Sequence, residues 1–230
     1  MKIRSITYFC NPKYPLDEKV LQRAGQFLTE AKSAYEAAGY EVQTTRLATT
    51  PFPELLGEEH IGQLPVFASQ MDTIAQGLKI GYVSLGPAIP ELPQSYEVIP
   101  EAIFVSKIIF FGGVMADRTR GINVSAARAC ADIIVKCASI EPNGFANLQF
   151  AALANVAAGT PFFPAAYHNA DEPVFAIATE SADLAVQAFE SAQSIEEARS
   201  NLIREIEIHG KRLTDVSKSL KCKFGGIDFS

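Results

Sequence analysis

Cysteine is scarce in this chain, and its spacing argues against the roles in which clustered cysteines usually function. The four cysteines are Cys10, Cys130, Cys137 and Cys222, and no two of them form a C-x-x-C pair. A chain of 230 residues can bury a substantial core without covalent cross-links. The sequence also begins without the pattern of a signal peptide. We therefore expect reduced thiols and a cytoplasmic protein.

An excess of positive charge and long apolar runs are also missing. The chain has 20 lysines and arginines against 26 aspartates and glutamates, which gives a formal net charge of −6. This balance argues against a nucleic-acid partner or an anionic membrane. The longest apolar run, Ala102–Ala116, is interrupted by Ser106 and Lys107. It falls short of the roughly 20 residues that span a bilayer, so we expect no membrane partner.

Short catalytic signatures are absent as well. The sequence contains no P-loop, no G-x-G-x-x-G after a strand, no H-E-x-x-H, no G-x-S-x-G and no EF-hand loop. No group of histidines, cysteines and acidic residues has zinc-like spacing. We therefore expect no cofactor and no tightly bound metal. Enzyme classes that lack a short motif stay open.

Hydrophobic periodicity predicts strands that alternate with helices. The predicted strands are Ile3–Phe9, Glu41–Ala48, Lys79–Leu85, Lys107–Ala116, Leu148–Val156, Val174–Thr179 and Phe224–Phe229. The predicted helices are Asp17–Ala38, Ile61–Leu78, Ser95–Phe104, Asn123–Ser139, Ala182–Ala192 and Ile195–Leu220. This alternation is typical of an α/β protein with a mostly parallel sheet and flanking helices. We expect one α/β domain over residues 1–230, with the loop Pro161–Pro173 as its only internal seam.

The segment Ala154–Asn169, which reads ANVAAGTPFFPAAYHN, carries the most information. Thr160 and Phe163 each precede a proline, so both are pushed toward extended geometry and the segment cannot be a helix. Gly159 gives the backbone freedom at its entry. Stiff, apolar, non-helical segments are usually fixed against another part of the fold, and we expect the same here.

Two arginines and a capped helix suggest an anion site after the strand Lys107–Ala116. Asp117, Arg118 and Arg120 follow the strand, and Asn123 can cap the next helix. Two guanidinium groups beside a helix N-terminus can bind a carboxylate or a phosphate. A solvated turn explains the same residues equally well, and both interpretations stay open.

The candidate catalytic residues are His168 and Asp228. His168 ends the proline-containing segment that leaves a strand, where open α/β sheets place ligands. A loop histidine that only hydrogen-bonds the backbone is the alternative. Asp228 lies among apolar strand residues, where a carboxylate is costly unless it is paired. It is therefore either a functional group or half of an internal ion pair.

The sequence resembles the domain-of-unknown-function family 711, a group of uncharacterised proteins. The resemblance includes the opening KIRSITYF and is most specific in Asn155 with Gly159–His168, in Arg118–Asn123 and in Gly225–Ser230. Members of the family continue well beyond the last of these positions. The resemblance therefore implies that residues 1–230 are the N-terminal part of a longer protein.

The resemblance also implies a fold, the β/α barrel of pyruvate formate-lyase and other glycyl-radical enzymes. In that barrel two parallel half-sheets run antiparallel to each other, and this chain would supply one half and the start of the second. Ala157 and Ala158 stand where the family typically has prolines. Neither a radical glycine loop nor a barrel cysteine motif is present, and a shared fold does not carry a shared reaction.

These observations predict a protein that binds a small polar or anionic metabolite at the strand ends, either as a binding protein or as an enzyme without glycyl-radical chemistry. The alternative is a non-catalytic regulatory or assembly module that acts through subunit contacts. In either case we expect a homo-oligomer. The expected ligand contacts, besides His168 and Asp228, are Arg118, Arg120, Asn123, Asn155, Thr160 and Tyr167.

Overall fold

The structure, a computed structural model, describes residues 1–229; Ser230, the last residue of the GGIDFS stretch, lies outside the described residues. The strands are β1 (Lys2–Cys10), β2 (Val42–Thr49), β3 (Tyr82–Ala88), β4 (Ile109–Asp117), β5 (Gly121–Ile122), β6 (Phe150–Ala154), β7 (Val174–Glu180) and β8 (Lys223–Phe229). The helices are α1 (Glu18–Ala37), α2 (Phe52–His60), α3 (Leu64–Gly77), α4 (Gln94–Glu97), α5 (Ile99–Phe104), α6 (Val124–Cys137), α7 (Ala182–Glu190) and α8 (Ile195–Ser217).

All eight described strands belong to one mixed sheet. Strands β6, β4, β3, β2 and β1 run parallel in that spatial order, and the two-residue β5 pairs antiparallel with the end of β4. Strand β7 pairs antiparallel with β1, and β8 runs parallel to β7. The prediction of a mostly parallel α/β sheet is confirmed. A parallel group that turns into a second group of opposite direction is consistent with half of a barrel.

The sheet has one face covered by helices and one that we call the inner face. Tyr8 and Cys10 of β1 belong to the main hydrophobic core, which also contains buried residues of α1, α3, α5 and α6. Side chains alternate along a strand, so Ser5, Thr7 and Phe9 lie on the inner face.

Among residues 1–229, no helix has the length and apolarity needed to cross a membrane.

Helix α2 is the main element that the periodicity did not predict. It covers Phe52–His60, contains a non-helical Gly57 at φ 68°, and leads through a 3-10 turn into α3. Pro51 indicated the end of the second strand, and Pro53 then lies in the first turn of α2, where proline is tolerated because its missing N–H has no partner. The predicted helix Ile61–Leu78 therefore begins three residues later, at Leu64.

Other boundaries differ for local reasons. Strand β3 covers Tyr82–Ala88, so it continues three residues beyond the predicted end at Leu85, through Gly86 and Pro87. Strand β6 ends at Ala154 instead of Val156, because the next residue adopts a positive φ. The predicted helix Ser95–Phe104 is divided into α4 and α5, since Pro100 lies in the first turn of α5.

Candidate functional site

The segment of residues 155–168 leaves β6 and folds over the carboxyl end of the inner face. Asn155 has a φ of 57°, a conformation that asparagine tolerates better than most residues. Its backbone N–H donates to the Ala116 carbonyl at 3.1 Å. The Gly159 N–H donates to the Tyr167 carbonyl at 2.9 Å and closes the segment into a loop. The segment contains no helix, as predicted.

Hydrogen bonds and a small buried cluster fix this loop to the sheet. The Ser84 hydroxyl donates to the Ala166 carbonyl at 2.6 Å. The His168 N–H donates to the Thr49 carbonyl, at the end of β2, at 2.9 Å. Ala166 is fully buried in a cluster with residues of three strands: Phe9, Ala48 and Ala176. The loop is therefore part of the packed structure.

His168 is the last residue of this loop, and its side chain is buried, with only 3% of the residue exposed. Its ring lies 6.5 Å from the Phe9 ring, and its Nε2 atom is buried without a hydrogen-bond partner among residues 1–229. Burial lowers the pKa of His168, while a backbone hydrogen bond at Ala170 and the charge of Asp171 act in the opposite direction. The neutral imidazole is therefore the favoured form.

A cavity of about 190 Å³ opens where β3, β4 and β6 end, and three predicted residues line it: Arg120, Asn155 and Tyr167. The Tyr167 hydroxyl donates to the Val156 carbonyl at 2.9 Å. Burial, together with the charge of Glu54, raises the pKa of Tyr167 and keeps its hydroxyl neutral. The cavity is therefore lined by a guanidinium, an amide and a neutral hydroxyl, together with the carboxylates of Glu91 and Asp117.

The turn between β4 and α6 is held by Asp117. Its carboxylate accepts from the backbone N–H groups of Thr119 and Arg120 at 2.8 Å each, and from the Arg120 Nε at 2.9 Å. Arg120 also forms an ion pair with Glu91. The Asn123 side chain accepts from the Ala126 N–H at 2.9 Å and caps α6. These contacts already engage Asn123 and Arg120 within the protein.

Five other predicted residues are not among those that line this cavity: Arg118, Asn123, Thr160, His168 and Asp228. Arg118 is exposed and Thr160 is half-buried. Through the register of β8, β7 and β1, Asp228 lies level with Ser5. His168 lies at the other end of the sheet, because Thr49 pairs with Cys10. The two candidate catalytic residues are thus roughly 16 Å apart along the strand direction.

Glu91 is the residue that sequence reasoning missed. It lies between two prolines in the loop after β3 and reaches Arg120 and the cavity wall. The only signal in the sequence was a lone carboxylate in the stretch Pro90–Pro93, at the carboxyl end of a strand where ligands often bind. Its pairing with a residue 29 positions away could not be seen from local pattern.

The cysteines are unpaired, as expected from the sequence. Cys130 and Cys137 are both buried on α6 and unpaired, and burial raises the pKa of each thiol to about 11. Cys222 lies between Lys221 and Lys223, but burial raises the pKa of its thiol to about 11 as well. Within residues 1–229 no group of three or more histidine, cysteine and acidic side chains is placed to hold a metal ion.

The comparisons with known proteins give a family and a set of relatives. A family model described as "Uncharacterised ACR (DUF711)" matches residues 1–230. The chain is 23% identical over 230 residues to a UPF0210 protein of Neisseria meningitidis serogroup B, covering 92% of this chain and 50% of the relative.

Two further relatives come from other organisms. A UPF0210 protein of Actinobacillus pleuropneumoniae is 21% identical over 230 residues, which cover 93% of this chain and 50% of the relative. One of Pyrobaculum islandicum is 27% identical over 214 residues, which cover 84% of this chain and 45% of the relative. The chain spans about half the length of the curated relatives it matches.

Proposed function

This chain belongs to the DUF711 family, and from that premise we propose that it binds a small polar molecule in the cavity at the carboxyl ends of β3, β4 and β6. One observation carries the proposal: Arg120, Asn155 and Tyr167 come from two separate segments and line the same cavity. In open α/β sheets, ligands bind outside the carboxyl ends of the strands. The cavity lies at that position.

The charges around the cavity favour a zwitterion over a simple anion. Arg120 is already flanked by the carboxylates of Asp117 and Glu91, which would repel a strongly anionic ligand. A ligand with an ammonium group and a carboxylate would engage these carboxylates and the guanidinium together. A volume of about 190 Å³ lies below the usual range of drug-sized sites, so the ligand is compact, of free amino-acid size.

The test is a thermal-shift screen of free amino acids and their hydroxy-acid analogues, followed by calorimetry on the compound with the largest shift. We expect amino acids to bind more tightly than the matched hydroxy acids. Arg120→Gln should weaken binding about tenfold or more, because it removes a charged hydrogen-bond donor. Arg128→Gln, an exposed arginine on α6, is the matched control. If the Arg120→Gln protein binds the compound as tightly as the unaltered protein, the cavity lined by Arg120 is not the binding site.

A catalytic role is a further part of the proposal and rests on His168. The residue follows Tyr167 directly but does not line the cavity, so its neutral imidazole would accept a proton from the bound molecule through a bridging water. Asp228 is too far along the strands to act as its partner. Turnover of the compound found in the screen, followed by NMR, should be lost in His168→Gln while binding persists. Turnover that survives the substitution would contradict the role of His168.

Assembly through subunit contacts is the second candidate, favoured by one observation. Within residues 1–229, β8 pairs only with β7, so its other edge leaves backbone groups without strand partners. Such edges readily pair with another chain. Sedimentation equilibrium should then show a homo-oligomer, and hydrogen exchange of the β8 amides should slow as protein concentration rises. A monomer with rapidly exchanging β8 amides at all concentrations would contradict this candidate.

A further inference from the structure

A second cavity, of about 400 Å³, lies near the amino-terminal ends of β3, β4 and β6. It shares no lining residue with the cavity described above. Its walls include Arg46 of β2, Tyr82 of β3, Phe110 of β4 and Phe163 of the loop that covers the inner face. Its volume falls in the range of sites that hold a small organic molecule.

Strand register brings the guanidinium of Arg46 against aromatic rings. Arg46 and Tyr82 are direct partners in the β2–β3 pairing, so both side chains lie on the same face. The Arg46 guanidinium carbon is 5.6 Å from the centre of the Tyr82 ring and 5.1 Å from that of Phe163. Phe110 contacts both rings edge-on, with ring centres 5.1 and 5.7 Å away. The three rings and the cation therefore form one continuous wall.

The positive charge on this wall has no carboxylate partner in the described part of the chain. The Arg46 Nε donates to the Thr44 hydroxyl at 3.0 Å, and no ion pair within 4.0 Å involves Arg46 or Lys107, a second cation on the cavity wall. Glu141 is exposed elsewhere on the wall. Burial lowers the pKa of Arg46, which means that its surroundings disfavour the charge. A half-buried guanidinium with unused N–H donors is suited to a planar anionic group.

We propose that this cavity binds an anionic molecule with a planar aromatic ring, whose carboxylate or phosphate contacts Arg46 and Lys107 and whose ring packs against Tyr82, Phe110 and Phe163. The anionic group would complete the hydrogen bonding of the guanidinium. Aromatic contacts would add an attraction that depends on ring geometry. This site is independent of the one proposed above, since the residues, the end of the sheet and the ligand charge all differ.

The experiment uses calorimetry with four probes on the intact chain: phenyl phosphate, benzoate, inorganic phosphate and benzyl alcohol. We expect the two anionic ring compounds to bind about tenfold or more tightly than either the anion without a ring or the ring without an anion. Arg46→Met should weaken phenyl phosphate binding about tenfold or more, the loss expected for a charged hydrogen-bond partner. The phenyl phosphate affinity of Arg46→Lys should lie between those of the unaltered protein and Arg46→Met, because lysine keeps the charge but loses the planar donor pair.

Arg199→Met is the matched control, since it removes one exposed arginine from α8, a helix that contributes no residue to the cavity wall, and should leave the affinity unchanged. NMR on the unaltered protein gives a test that does not depend on any variant: phenyl phosphate should shift the amide signals of Arg46, Tyr82 and Gln149. The proposal is overturned if Arg46→Met binds phenyl phosphate as the unaltered protein does, if benzyl alcohol or inorganic phosphate binds equally well, or if the shifts cluster around Arg120 instead.

Discussion

Replacing Ser84 by alanine should loosen the loop of residues 155–168 from the inner face of the sheet. The Ser84 hydroxyl donates to the carbonyl of Ala166 at 2.6 Å, and both residues are fully buried. The substitution removes the donor but leaves the carbonyl in place, away from water. An acceptor left in this state costs about 1–3 kcal/mol. We take about 2 kcal/mol, or roughly 4–8 °C in Tm for a protein of this size.

Ser5→Ala is the matched control, because it makes the same chemical change on the same face of the sheet. Ser5 is also fully buried, but its hydroxyl has no hydrogen-bond partner among residues 1–229. Removing it therefore relieves an unsatisfied polar group instead of creating one. The free energy of unfolding should be unchanged or slightly higher in this variant.

Urea denaturation followed by circular dichroism measures both free energies, and hydrogen exchange reports on the loop itself. In Ser84→Ala the His168 amide, which donates to Thr49, should exchange faster than in the unaltered protein. In Ser5→Ala its exchange should not change. If the two variants lose the same stability, or if the His168 amide stays equally protected in both, the loop is not held by the Ser84 hydroxyl.

Burial of the neutral His168 ring should make stability fall as pH drops below about 6.5, because its lowered pKa means that the unfolded chain takes up the proton first. Denaturation at a series of pH values should show a flatter profile for His168→Gln than for the control His60→Gln, an exposed histidine; identical profiles would refute this. Cys130 and Cys137 should stay unbridged even under oxidising conditions, since two helical turns separate them; a mapped disulfide in unreduced protein would contradict the structure. Asp72→Ala should lower the free energy of unfolding by about 3 kcal/mol, because the buried Asp72 carboxylate accepts from two backbone amides before β4 at 2.9 Å each; a loss below about 1 kcal/mol would count against it.

Elements stabilised by nearby residues could be read from the sequence. Helix α1 begins after Asp17, whose side chain accepts from the Lys19 N–H, and the chain leaves it through Gly39 at a φ of 91°. Helix α6 is capped by Asn123, as its sequence indicated. Among residues 1–229, the apolar pattern identified every strand except the two-residue β5, which has too few residues for a period. Alternation of strands and helices was enough to predict a mostly parallel sheet.

The sequence by itself thus determined the elements other than α2 and β5, the fold class, and the non-helical character of the segment that contains Pro161 and Pro164. Only the tertiary structure decided which side chains meet, because each decisive contact joins residues far apart in the chain. Glu91 reaches Arg120 across a strand, and Phe163 reaches Arg46 across more than a hundred positions. The local sequence pattern indicates secondary-structure propensity and burial. Strand order and register determine which polar and aromatic groups line the same cavity.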